Sequence, residues 1–375
     1  MWVKSRIPRA AAAAAAGAVL TAGLYVAPAA AGTHGSFIGR FGETTAIAST
    51  VPANGDINPY GVAVVQQSQG SLHEGDVLVS NFNDAGNVQG TGKTIVQVAP
   101  DGTVSQFAHI SPSGLPGACP GGIGLTTALV ILNGGWVIVG SLPTSHKGTV
   151  FTGSGCLLVL NSEGKVVETF FGHGINGPWD MTAAQAGPFA DLFVTNVLNG
   201  TVAAAGQVVH RGTVLRLTLG TFGDAPPRLL TTTRIGSGFA ERTDPAALVI
   251  GPTGVGLGTG GTLYVADTLA SRIAAIPGAV TRPDSAGRGT TVSTGHALNG
   301  PLGLAIAPGG DVLTVNSGDG FIVETTPSGQ QVATHLLDSS GSPPGAGALF
   351  GLAVAPHGAG VYYVDDATNT LNLLH

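Results

Sequence analysis

The chain has 375 residues, of which 60 are glycine and 10 % are charged, with 43 % hydrophobic residues and a formal net charge of −6. Disorder requires low hydrophobicity with high net charge, and collagen requires a G-X-Y period, so both are excluded. Apolar runs studded with glycine and poor in charge suit short strands and tight turns, which predicts an all-β fold.

Residues 1–31 read as a secretory leader. Lys4, Arg6 and Arg9 occur without an acid, residues 10–26 are apolar, and Ala29, Ala30 and Ala31 follow Pro28 as a small-residue cleavage site. An alanine-dominated segment is weakly hydrophobic for a permanent span. Later apolar runs are each broken by Gly, Pro, Asn or Asp within about ten residues, so none reads as a transmembrane helix. Beyond the leader, residues 32–375 read as one domain, with twelve basic residues against twenty-one acidic ones. That balance disfavours nucleic acid and anionic membranes as partners, and suits cation binding or simple solubility. The expected destination is the periplasm or the exterior. Cys119 and Cys156 are the only cysteines; an even number in an exported chain favours a disulfide over two buried thiols.

Six segments share a proline or its equivalent, a small residue two positions on, and then alternating apolar residues. They are NPYGVAV from Asn58, CPGGIGL from Cys119, GPWDMTA from Gly177, DPAALVI from Asp244, GPLGLAI from Gly300 and ALFGLAV from Ala348. A loose period of this length accommodates one four-stranded propeller blade with variable loops. Each segment is followed by a second strand ending in a small polar residue: DVLVSN (76–81), WVIVGS (136–141), DLFVTN (191–196), TLYVAD (262–267), DVLTVN (311–316) and VYYVDD (361–366). PDG, SEG and PSG mark hairpins between third and fourth strands. GPTGVGLGTGG (251–261) reads as a long glycine-rich hairpin within the fourth blade. The sixth repeat stops about one strand short, while residues 36–52 precede the first. The predicted architecture is therefore a six-bladed β-propeller whose last blade is closed by an N-terminal strand.

GGTLYVADTLASRIAAI (260–276), PLGLAIAPGGDVLTVN and PYGVAV resemble NHL repeats, and LFVTNVLNGTV resembles the YVTN-type propeller repeat. The resemblance covers nearly all of residues 36–375 and implies a six-bladed propeller. Gluconolactonase-like propellers are the more distant relatives. Proteins of this superfamily serve as scaffolds, sugar-lactone hydrolases and lyases, so the resemblance specifies fold far more than activity.

In such a ring the first strands start on one face, the top, where three groups of side chains gather. Asn81, Ser141, Asn196, Asp267, Asn316 and Asp366 end the second strands and could hold a hard cation such as Ca²⁺ or a polyol. Equally, each could cap its own turn. Asn58, Asn176, Asp244 and Asn299 precede the blade prolines, a place that Asn and Asp take as turn initiators. His109, His173 and His296 lie at the ends of fourth strands, too far apart to share a zinc ion. Asp180 stands alone: it occupies the position where the other blades carry Gly61, Gly122, Ala247, Gly303 and Gly351. A near-axial carboxylate must be paired, hydrogen-bonded or metal-bound, which makes Asp180 the leading ligand or metal candidate.

The resemblance can be carried further only in part. The lactonase relatives use a Glu just before a Gly-Pro blade start, where this chain has Asn176, and often an Asn where it has Gly303. The amidating lyases place a histidine beside the blade proline, and none stands there. A nucleophile elbow, a Walker A loop and H-E-x-x-H are also absent from the sequence. The expected function is binding or scaffolding through the top face, as a monomer, for a protein, glycan or small polar ligand. The alternative is a metal-dependent hydrolase or lyase of the lactonase-like class, with Asp180 and the Asn/Asp ring, Asn176 and Asn299 included, around Ca²⁺ or another divalent cation.

Overall fold

Six antiparallel sheets form the molecule, described here by a computed structural model over residues 35–142, 144, 153–244 and 247–375. The leader and Pro245 lie outside the described residues. The chain opens with β1 (Thr44–Ser49) and then builds blade one from β2 (Ile57–Val64), β3 (Val77–Asn83), β4 (Thr94–Val98) and β5 (Val104–His109). Blade two is β6 (Leu125–Leu132), β7 (Trp136–Ser141), β8 (Cys156–Leu160) and β9 (Val166–Phe170). Blade three is β10 (Gly177–Ala186), β11 (Phe189–Val197), β12 (Val209–Gly220) and β13 (Arg228–Asp244), with the short β14 (Leu248–Ile250) as a fifth strand. Blade four is β15 (Pro252–Leu257), β16 (Leu263–Asp267), β17 (Arg272–Ile276) and β18 (Thr290–Thr294). Blade five is β19 (Pro301–Ile306), β20 (Val312–Asn316), β21 (Phe321–Thr325) and β22 (Gln331–Leu336). Blade six is β23 (Leu349–Val354), β24 (Val361–Asp365) and β25 (Thr370–Leu374), completed by β1.

The N-terminal closure is as the sequence predicts, with Thr44 paired to Leu374 and Ser49 to Thr370. A second contact fixes it. Glu324, on β21 of the neighbouring blade, accepts hydrogen bonds from Ser36 Oγ at 2.5 Å, Phe37 N at 2.7 Å and Ile38 N at 2.8 Å. His335 Nε2 meets Ile38 O at 2.9 Å. The second strands β3, β7, β16, β20 and β24 are buried throughout, because blades stack on both of their faces. Outer strands such as β22 alternate between half-buried and exposed positions, as expected where one face meets solvent. Cys119 and Cys156 form the disulfide, tying the loop before blade two to β8. No helix among the described residues is long and apolar enough to cross a membrane.

Two blade starts differ from the sequence motifs. Blade two begins at Leu125, which pairs with Ser141, rather than at Pro120. Blade four begins at Pro252, which pairs with Asp267 as Pro301 pairs with Asn316. The segment from Asp244 instead turns back as β14, and PTGVGL is an inner strand rather than a hairpin. The disulfide-bearing loop and the extra strand each insert a decoy proline ahead of the true start. By the same register, Leu349 pairs with Asp365, so Asp365 and not Asp366 ends the sixth second strand.

Candidate functional site

The inner strands line the axis, and their close approach dictates their composition. A Cβ added at Gly254, Gly303 or Gly351 would lie 2.3, 2.0 or 2.2 Å from the carbonyl oxygen of Leu302, Phe350 or Tyr60 on the next blade. Ala128 takes the corresponding place in blade two, Gly61 in blade one and Asp180 in blade three. Asp180 therefore occupies a column of small residues, in which Ala128 and Gly254 stand in place of Gly122 and Ala247.

One residue before this position the axis is plugged. Tyr60 stacks on Phe350 with centroids 4.0 Å apart and on Phe82 at 4.4 Å. It also meets Trp179 at 5.9 Å. Tyr60 and Trp179 belong to non-adjacent blades, so they touch across the axis. Leu302 and Leu142 join the same apolar cluster. Beyond the plug, towards the face where the inner strands end, lies a cavity of about 380 Å³ lined by all six inner strands.

Asp180 lies at the inner end of this cavity, immediately after Trp179 in the chain. Its Oδ1 accepts from Met181 N at 2.9 Å and its Oδ2 from Val255 N at 3.1 Å on blade four. Its own N–H donates to Thr195 Oγ1 at 3.1 Å, and that hydroxyl donates to Thr253 O at 2.7 Å. Burial pushes the Asp180 carboxyl up to about 8, and the two backbone N–H groups only partly offset this. Asp180 is the one ionisable side chain among the described residues lining the cavity.

The second-strand termini make hydrogen bonds within their own blades or to the loops entering them. Asn81 Nδ2 donates to Thr50 O at 2.9 Å, while Asn196 and Asn316 accept from Asn176 N and Asn299 N, each at 3.1 Å. Ser141 Oγ accepts from Gly124 N at 3.0 Å, and Asp267 pairs with Arg272 at 2.8 Å. Each therefore anchors the loop leading into its own blade or its own hairpin, which is the capping role. Asp366 donates its backbone N–H to Ala348 O; burial, with help from the charge of Asp365, pushes its carboxyl up to about 6. Asn299 Nδ2 reaches Asp319, Asn58 N reaches Asn369, and Asp244 pairs with Arg242. His109 Nδ1 lies 3.3 Å from Thr94 Oγ1. No group of three or more His, Cys, Asp or Glu among the described residues is placed to hold one metal ion.

These donors do not fit Ca²⁺, which takes six to eight oxygens. Both oxygens of Asp180 already accept N–H groups, and Asn196 and Asn316 accept backbone N–H groups; Asn81 Oδ1 and Asp267 Oδ1, on blades one and four, are buried without a partner, but two such oxygens fall short of that set.

Asn176 belongs instead to a second, top-face pocket of about 520 Å³, with Asn199 and Arg211. Asn176 Nδ2 donates to Asn199 Oδ1 at 2.6 Å. Beneath them Glu241 is fully buried and accepts from Asn199 N at 3.0 Å, while its Oε2 has no partner. Burial pushes its carboxyl up to about 7 against the opposing pull of Asn199 and Arg211. Sequence reasoning missed Glu241. The available signal was a lone acid in the run GFAERT of a chain so poor in charge.

Fold and site define a six-bladed β-propeller with a plugged axis and one carboxylate in its remaining cavity. No family model and no curated protein matches the sequence. Solved structures do match. A gluconolactonase from Xanthomonas campestris aligns over 88 % of both chains with 12 % identity and a TM-score of 0.53. A streptogramin B lyase covers 89 % of this chain and 97 % of its own, with 13 % identity and a TM-score of 0.52. A calcium-binding regucalcin from Agrobacterium tumefaciens covers 87 % and 92 %, with 10 % identity and a TM-score of 0.53. At these identities the similarity is one of fold, and it agrees with the NHL- and YVTN-like repeats.

Proposed function

We propose that this chain is an exported hydrolase or lyase for small organic molecules, of the lactonase-like propeller class, working from its axial cavity with Asp180 as the proton-transferring group. The observation that carries this reading is the lone Asp180 carboxyl at the inner end of the cavity, with a proton affinity close to neutral pH. The similarity in fold to a gluconolactonase and a lyase supports it by analogy. In hydrolysis, water adds to the acyl carbon and the acyl C–O bond breaks. The departing oxygen takes the Asp180 proton, and the proton lost by water restores the carboxyl.

The test is a panel of lactones and esters assayed on the wild-type protein and on Asp180→Asn and Asp180→Ala. Both variants should lose about 10²- to 10⁴-fold in kcat/KM. Wild-type kcat/KM should fall as pH rises through about 8, because the acid form is the working one. Undiminished turnover by Asp180→Ala overturns the proposal. Export is supported by the disulfide and is checked by cell fractionation with N-terminal sequencing of the mature protein.

The top-face pocket supports a second reading, a monomer that binds a glycan, protein or small polar ligand through Asn176, Asn199 and Arg211. Array hits that vanish in Arg211→Ala, on a protein that sediments as a monomer, would establish it; an array without hits would remove it.

A further inference from the structure

Blade three outreaches the blades on either side of it, on the face where the inner strands end. Its inner strand β10 runs six residues past Asp180, to Ala186, whereas β6 and β15 stop four and three residues past the aligned Ala128 and Gly254. The difference of two to three residues is an overhang of roughly 7–10 Å along the strands. Two exposed hairpin tips share it: residues 186–189 around the β10–β11 turn, and residues 222–225 between β12 and β13. Thr221 N ties the tips together by donating to Pro188 O at 2.8 Å. The rings of Phe189 and Phe222 meet edge to face, with centroids 6.0 Å apart. Phe222 lies across Gly220, where an added Cβ would stand 2.4 Å from its ring, so the pair is seated on the blade. Even so, the two phenylalanines remain 45 % and 52 % exposed.

We infer that this paired tip docks on a lipid surface with zwitterionic headgroups, with Phe189 and Phe222 entering at the boundary of headgroups and acyl chains. An aromatic side chain buries about 150–250 Å², so the half-exposed pair offers roughly 200 Å². A stable contact with a second copy or another protein takes about 800 Å² from each partner. A bilayer sets no such requirement, because it closes around a tip of any shape. An overhang of roughly 7–10 Å also matches the depth of about 5–10 Å at which apolar side chains lodge in the interface. The charges select the headgroup. Residues 186–189 carry none, and the second tip carries Asp224 with Arg228 four positions on. That is one acid for a choline or ethanolamine ammonium and one base for a phosphate. A cluster of basic residues, the mark of an anionic-lipid site, is absent from both tips. The surface is separate from Asp180 and lies on the face opposite Arg211, so it is independent of both functional readings.

Flotation with phosphatidylcholine vesicles tests this, on protein shown by N-terminal sequencing to lack the leader. The protein should float, and added salt should leave the bound fraction unchanged, because no net charge drives the contact. Phosphatidylserine vesicles should bind it no more tightly, given twelve basic residues against twenty-one acidic ones beyond the leader. Phe189→Ser combined with Phe222→Ser should lower binding by at least about tenfold, while the melting curve and turnover through Asp180 stay in place. Phe222→Trp keeps an apolar ring and reports its surroundings. Its emission should shift to the blue with vesicles and be quenched by lipids brominated in the upper acyl chain. A folded protein that fails to float with phosphatidylcholine overturns the inference, even where the tip captures a protein instead. So does binding confined to phosphatidylserine and lost in salt, or a double variant that floats as wild type does. A Phe222→Trp emission that vesicles leave unmoved overturns it as well.

Discussion

Asp180 and Gly303 occupy the same position in blades three and five, yet one carries a carboxylate and the other has no room for a methyl group. At Gly303 an added Cβ would stand 2.0 Å from Phe350 O. The difference tracks the residue beside it on the second strand. Where that residue is Ala266, Val315 or Val364, the clearance is 2.3 Å or less. Where it is Ser80, whose hydroxyl accepts from Gly61 N and donates to Thr126 O, the carbonyl of the next blade stands back at 2.9 Å, although the hydroxyl itself would lie 2.6 Å from the added Cβ. Thr195 makes the same bridge between Asp180 N and Thr253 O. In both blades a single hydroxyl ties an inner-strand N–H to a carbonyl of the next blade.

Glu324 extends the contrast to a second acid. Its carboxylate is fully buried and takes three donors from consecutive residues, so the protein meets its needs and its role is to hold the closing segment. Asp180 takes only two donors and faces a cavity.

The largest effect should come from Glu324→Ala. Removing a buried acceptor from three donors should cost about 3–5 kcal/mol in urea unfolding, against a small effect for Asp180→Ala. Gly303→Ala should cost about 3 kcal/mol, because the obstacle is backbone. Thr195→Val keeps the shape but removes the bridge, and should cost about 1–2 kcal/mol together with a loss of turnover.

Asp180→Asn should have the smallest effect at acid pH, and one that grows as pH rises. The folded carboxyl titrates near 8 and the unfolded one near 4. The folded state therefore holds the extra proton within this window, and the stability it confers is lost as pH rises through it. The variant should melt on the order of 10 °C higher than wild type at pH 8, with the difference shrinking to a few degrees at pH 5 and vanishing near pH 4.

Much of this was legible in sequence. Six repeats and a missing last strand specify the ring and its closure, and Asp180 shows as the break in a column of small residues. Two registers were misread because Pro120 and Pro245 mimic blade starts, while the residues that displace the true ones form a disulfide loop and an extra strand. The Asn/Asp ring reads equally as caps and as ligands in sequence, because a local cap and a metal ligand call for the same side chains. Thr195 and Glu241 were invisible because their significance lies in what the neighbouring strand or blade does, and spacing along one strand carries no record of that.

The closing strand also has a mechanical consequence. Thr44 pairs with Leu374, so the outward end of β1 lies beside that of β25. Tension applied through the two termini would open this pair one rung at a time, as a zipper, instead of shearing all its rungs together. The three bonds to Glu324 lie ahead of β1 on the same segment and would take the load first. The carboxylate is thus a clasp, placed where the ring is easiest to pull apart.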